Sequence, residues 1–318
     1  MQEGHWGVFG EGEDCLVALV EFAFNPDYIY DLPDGHKFPI SKYQLVHDQL
    51  IYEGTITPNQ VYDPGLINEI DILRVHTKEY WNKVRNLKLT ARELRKIGLP
   101  LNEISVMRSR NSVAGTYMAA TKALDVGVSV NLAGGTHHAY SDRGEGFSVL
   151  NDIAIASRAL MAKNLVERIL IVDLDVHQGN GNAAIFSDNP EVFTFSMHGK
   201  DNYPLKKEKS DLDIALSTGT DDEEYLELLK KTLPEIIDQQ RPNIIFYQSG
   251  VDVLESDRLG KLALTKDGCK ERDRIVLESC SSNDIPAVIV MGGGYSSRLS
   301  DLIDAHCNTM RLAVDIYQ

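Results

Sequence analysis

The stretch RILIVDLDVHQGNG, residues 168–181, changes character halfway. Its first half is a short run of apolar and β-branched side chains without alternation, as expected of a strand buried on both faces. Its second half turns abruptly to Asp, His, Gly and Asn. The pattern recurs in VSVNLAGGTHH (128–138), VFTFSMH (192–198), NIIFYQSGVD (243–252) and AVIVMGGGY (287–295), each apolar through its body and polar or glycine-rich at its carboxyl end. Segments of helical character lie between them, at residues 152–167, 223–240, 267–282 and 296–317. Strands alternating with helices predict an α/β fold, a doubly wound and mostly parallel sheet flanked by helices. In open α/β sheets ligands bind outside the carboxyl ends of the strands, so the polar endings are expected to converge on one site.

Residues 1–110 carry helical patterns at 42–54 and 79–98, with a Pro-, Gly- and Asp-rich stretch near 31–39, and are expected to flank the sheet. There is no linker, repeat or low-complexity block. With 318 residues and 43% hydrophobic side chains, one domain spanning residues 1–318 is expected. The 47 acidic against 32 basic residues give a formal charge of -15, which repels nucleic acid and anionic membranes and attracts cationic partners such as lysine side chains or amines. No apolar run reaches the roughly 18 residues that span a bilayer, and MQEGHWGVFG lacks the basic and apolar parts of a signal peptide, so a cytoplasmic protein is expected. Cys15, Cys269, Cys280 and Cys307 show no CxxC spacing and imply neither disulfides nor a thiolate metal site.

Asp173, Asp175 and His177 stand at alternate positions, which a strand and its exit would direct to one side. One Asp and one His two residues apart suit a divalent cation, and Asp252, ending another expected strand, can supply a third ligand. Two carboxylates and an imidazole leave a coordination position open for water, as in catalytic sites. A lone DxH more often caps a helix and packs an imidazole. The tandem His137 and His138, after a Gly-Gly turn, shift that balance: paired imidazoles beside an activated water supply a general base and a proton donor. Each needs a partner on its second ring nitrogen, for which Asp173 and Asn180 are candidates. The glycines of GGGY (292–295) could present the Tyr295 hydroxyl to an oxyanion. A two-metal hydrolase of the arginase kind would need carboxylates at positions 179 and 254, which are Gly and Leu, so one metal is expected, Zn2+ or alternatively Fe2+.

Taken in order, GGTHHAYSDRGEGFSVLND (134–152), DLDVHQGNG, SGVDVLESDRLG (249–260) and GGGY resemble the zinc-dependent histone deacetylase superfamily, most closely its class IV branch and bacterial relatives. The resemblance runs from about Val128 to the C-terminus, with weaker support at 36–50 and 75–81. It implies hydrolysis of an acylated amine, usually N-acetyl-lysine in a peptide or protein, with acetylpolyamines or other small acylated amines as the alternative. A non-catalytic acyl-lysine binder would instead predict a damaged catalytic set. By the resemblance, Asp175, His177 and Asp252 bind Zn2+, His138 is the base and then the acid, His137 assists it, and Tyr295 bonds the oxyanion. Gly146 and Phe147 line the acyl-lysine tunnel, Gly293 and Gly294 border the substrate, and Asp173, Asp175, His177, Ser196 and Met197 match a shell for K+ or Na+. Two residues depart from class I enzymes. Asn180 replaces an Asp behind His138, making that imidazole less basic, and Lys42 replaces a deep Arg, altering the inner cavity and leaving acyl length open. The remaining histidines, His5, His36, His47, His76, His198 and His306, are expected to be structural or exposed. The run DDEE (221–224) is expected to start a helix.

Overall fold

The computed structural model describes residues 19–318. Eight strands form one sheet: β1 (Glu21–Ala23), β2 (Val61–Tyr62), β3 (Val128–Asn131), β4 (Ile169–Asp173), β5 (Val192–Gly199), β6 (Leu212–Leu216), β7 (Ile244–Gln248) and β8 (Ala287–Val290). Their order is β2-β1-β3-β8-β7-β4-β5-β6, and every neighbouring pair is parallel. The sequence-derived α/β architecture is therefore the observed one. All residues of β3, β4, β7 and β8 are buried, which is why these strands lack alternation.

Among the described residues ten α-helices accompany the sheet. The first four are α1 (Lys42–Tyr52), α2 (Glu69–Ile72), α3 (Lys78–Arg85) and α4 (Ala91–Ile97), followed by α5 (Glu103–Val126), α6 (Asp152–Ala162) and α7 (Asn180–Phe186). The last three are α8 (Asp222–Gln240), α9 (Lys266–Ser282) and α10 (Leu299–Tyr317). Helix α5 packs on α6 and on β1, β3 and β8, while α8, α9, α10 and α1 pack in succession. The single helix expected at 79–98 is two. Leu87 takes a left-handed φ of 56°, and Thr90 restarts the chain as an N-cap whose side chain and Glu93 form a reciprocal capping box. Asp221 caps α8 by accepting from the Glu224 N–H, so the acidic run does begin a helix.

Chain order and spatial order part between β3 and β4, since β8 and β7 lie between them. That rearrangement brings the carboxyl ends of β3, β8, β7 and β4 side by side, where the polar strand endings collect. Among the described residues no helix is long and apolar enough to cross a membrane. Cys269, Cys280 and Cys307 are free and buried, whereas Cys15 and His5 lie outside the described residues.

Candidate metal centre and active site

Three strand ends build the centre. Beyond β4, Asp175 and His177 turn towards Asp252, which follows β7, and all three are buried. His177 Nδ1 lies 3.1 Å from Asp175 Oδ1 and 3.1 Å from Asp252 Oδ2, and the three donor groups fall within 4.8 Å of one another. Backbone donors fix the carboxylates. Asp175 Oδ2 accepts from the Gly293 N–H at 2.7 Å and Asp252 Oδ1 from the Val176 N–H at 2.9 Å. Gly293 has no alternative, since a Cβ there would stand 2.0 Å from Asp252 Oδ2.

Burial raises the Asp252 pKa to about 7, and the charge of Asp175 adds to the effect. Burial opposes a charged His177, but its hydrogen bonds to Asp175 and Asp252 prevail and lift it to about 10. Two buried carboxylates are thus compensated by protons. A divalent cation supplies the same compensation, and two carboxylates with an imidazole are a donor set for Zn2+ or Fe2+, so the residues fit a metal.

The histidine pair sits at the end of β3. Its turn is tied down by Asp152, which accepts from the Gly135 and Thr136 N–H groups and from the Thr116 and Thr136 hydroxyls. His137 Nδ1 bonds Asp173 Oδ2 at 2.7 Å, and His138 Nδ1 bonds Asn180 Oδ1 at 2.6 Å. The two Nε2 atoms are 3.1 Å apart. Burial disfavours the imidazolium at His137, yet Asp173 and Asp175 outweigh it and hold its pKa at about 9. At His138, burial and then the charges of His137 and His177 push the pKa well below the ordinary value. His137 therefore donates from both nitrogens, and His138 receives at Nε2: one imidazole is charged and its neighbour is a neutral acceptor.

Tyr295 closes the opposite side, its ring 6.3 Å from that of His177 and 5.8 Å from that of Phe147. Phe147 has a φ of 63° and Gly146 one of 51°, and a Cβ at Gly146 would strike the His138 ring at 2.5 Å. Gly146, Phe147, His138, His177 and Tyr295 border both an outer mouth of about 300 Å3 and an inner cavity of about 20 Å3. Gly293 reaches the inner cavity, but Gly294 does not border it; a Cβ there would meet Leu302 and Val251 in the core. Ser196 is the β5 partner of Asp173, so residues of the expected monovalent-cation shell adjoin, with Met197 next along the strand. The Ser196 hydroxyl pairs with His198 Nδ1 at 3.0 Å.

Lys42 is fully buried, and its Nζ donates to the Gly292 carbonyl at 2.7 Å, among the rings of Phe38, Tyr43 and Tyr295. Burial lowers its pKa to about 8. Several residues here have no counterpart among the sequence-derived candidates. Arg108 and Tyr43 border the inner cavity, and Tyr203 and Leu259 border the mouth, where the Tyr203 ring meets His138 edge-on at 5.0 Å. No local signal marks Arg108 or Tyr43, which stand in helical segments remote in sequence from the strand ends. Of the other histidines among the described residues, His76 is buried and accepts the Asn151 N–H, His198 and His306 are buried, and none joins the candidate metal-binding group.

Residues 36–310 match the histone deacetylase domain. An uncharacterized protein of Picosynechococcus sp. is 45% identical over 92% of this chain and 98% of its own length. Histone deacetylase 2 of Arabidopsis thaliana is 30% identical over 89% of this chain and 76% of its own, and acetoin utilization protein AcuC of Staphylococcus aureus is 28% identical over 83% and 74%. The crystal structure of an HDAC homolog complexed with SAHA superposes with a TM-score of 0.79 at 25% identity, covering 93% of this chain and 84% of that one. A family domain matched over most of the length, on an all-parallel sheet shared with a solved homolog, means that this chain belongs to the histone deacetylase family.

Proposed function

We propose that this protein is a zinc-dependent amidohydrolase that removes an acyl group from the side-chain amine of lysine. Membership of the family carries the coarser statement, a deacetylase hydrolase. The observation that carries the finer one is the convergence of an Asp-His-Asp group able to hold a metal, two imidazoles in contact, and a phenol around the junction of the outer mouth and inner cavity.

Asp175, His177 and Asp252 would hold the cation, whose chemistry when bound is Lewis acidity at the acyl carbonyl and at the attacking water. His138, with Nδ1 committed to Asn180, carries no proton on Nε2, and that nitrogen takes one from the water once the water replaces the His137 N–H as its partner. It then returns a proton to the leaving amine. His137, kept charged by Asp173, stabilises the negative charge that develops beside it. The Tyr295 hydroxyl donates to the oxyanion, and Phe147, Tyr203 and Leu259 enclose the alkyl stem of the lysine and exclude water from it.

The inner cavity favours a short acyl group. Its 20 Å3 admits about one water-sized group, since a single one needs ~10–15 Å3. Arg108 borders it and Lys42 lies behind Gly292, so a longer alkyl chain would press against buried cations.

The test is hydrolysis by zinc-loaded protein of acetyl-lysine peptide, octanoyl-lysine peptide and acetylated polyamine. Acetyl-lysine is expected to react fastest. Asp252→Ala and His177→Ala should lose the metal and, at ~1.4 kcal/mol per tenfold, several decades of rate. A metal-loaded wild type inert on the whole panel would overturn the reading in favour of a non-catalytic acyl-lysine binder.

A further inference from the structure

We infer that Asp257 and Arg258, on the loop that follows Asp252, are positioning residues that act through Tyr295. The inference rests on the hydrolase reading above, in which the Tyr295 hydroxyl meets the oxyanion.

The chain reaches Tyr295 through Gly292, Gly293 and Gly294, with φ of 62° at the first and 146° at the last. Three glycines in succession leave the approach conformationally permissive. The buried side chain is held by packing without a directional tie: the Tyr295 hydroxyl has no hydrogen-bond partner among the described residues, and the ring stands 5.8 Å from Phe147 and 6.3 Å from both Phe38 and His177. The backbone of Tyr295 is what is held. Its N–H donates to Asp257 Oδ2 at 2.5 Å, and its carbonyl accepts from Arg258 Nε at 2.9 Å. Both main-chain groups are thus taken by side chains of two consecutive residues from another loop.

That loop is itself fixed. Asp257 Oδ1 accepts from the Leu259 and Gly260 N–H groups at 2.8 and 2.9 Å, which leaves Oδ2 aimed at Tyr295. Gly260 closes against the Asp252 carbonyl, where a Cβ would lie only 1.8 Å away. The clamp, the metal ligand Asp252 and the phenol therefore form one connected unit spanning the ends of β7 and β8, with a further tie from the Val251 N–H to the Gly293 carbonyl at 3.0 Å. Releasing the clamp would leave the hydroxyl present but unplaced, and a misplacement of about 1 Å can cost on the order of a hundredfold in rate.

The experiment is a double-mutant cycle on acetyl-lysine peptide, with metal content measured alongside. Arg258→Ala should lower kcat roughly tenfold or more while KM and bound metal stay within about twofold, with partial recovery in Arg258→Lys. In a Tyr295→Phe background the same change should cost less than about twofold, because the group being placed is gone. Asp257→Asn, which preserves shape but presents an amide where a carboxylate accepted, provides an independent reading if Arg258→Ala does not fold. Losses that add fully to that of Tyr295→Phe, or that track loss of metal, overturn the inference while leaving the hydrolase reading intact. An inactive wild type overturns both.

Discussion

At the scale of single residues, two imidazoles that touch at Nε2 differ in basicity because of the balance of burial and charge around each. At His137 the charges of Asp173 and Asp175 outweigh burial, whereas at His138 burial and the charges of His137 and His177 prevail, and Asn180 accepts a hydrogen bond without adding the negative charge that would oppose them. Replacing Asn180 by Asp would put a carboxylate on His138 Nδ1 and raise its pKa. A base works only when unprotonated, so the acidic limb of the kcat/KM profile should move to higher pH by about one unit or more, which a pH–rate series of the two proteins would measure. An unmoved limb would show that His138 does not carry it. The convergence of Asp175, His177 and Asp252 and of the histidine pair is legible in the sequence because strand-end residues at fixed short spacings announce themselves. Arg108, Tyr203 and the Asp257–Arg258 clamp carry no such local signal, because each acts on a partner dozens of positions away or borders a cavity formed only on folding.

Among the elements, α5 shows why periodicity can fail. It is the longest helix, yet its buried positions include Ser105, Ser109, Asn111, Ser112, Gly115 and Thr116 as well as alanines, so no apolar stripe marks it in the sequence. The small side chains allow close approach to β3. A Cβ at Gly115 would lie 2.3 Å from the Tyr28 hydroxyl and 2.5 Å from Asn131 Oδ1, which are hydrogen-bonded to each other at 2.9 Å. Gly115→Val is accordingly expected to destabilise the protein by about 1–3 kcal/mol or more, read as a lower urea midpoint, since overpacking forces backbone shifts. A midpoint equal to that of the wild type would mean that α5 can move off the sheet freely. The break between α3 and α4 was legible in principle, because Thr90 and Glu93 have capping-box spacing. Strands β1 and β2, of three and two residues, and the half-exposed edge strand β6 were not, being too short or too poorly buried to stand out.

Across the whole molecule, the centre concentrates charge that folding has removed from water. A cation that binds the native arrangement and not the unfolded chain stabilises by RT ln(1 + [L]/Kd), about 2.7 kcal/mol at a hundredfold excess over Kd. Chelation should therefore lower Tm by roughly 5 °C, given ~2 °C per kcal/mol in a chain of this size, and restored Zn2+ should reverse the drop. Asp252→Ala should show no chelator response, and a wild type equally indifferent to chelator would argue against a metal at this centre. The sequence by itself determined the alternation of buried strands with helices, the parallel sheet, and which residues end the strands, because burial on both faces and the spacing of short motifs are local properties of a chain. Only the tertiary structure decided the crossing order that sets β8 and β7 between β3 and β4, the inner cavity behind Gly292, and the hold of one loop on the backbone of Tyr295. These depend on contacts between residues far apart in the chain, whose geometry exists only once the sheet has assembled.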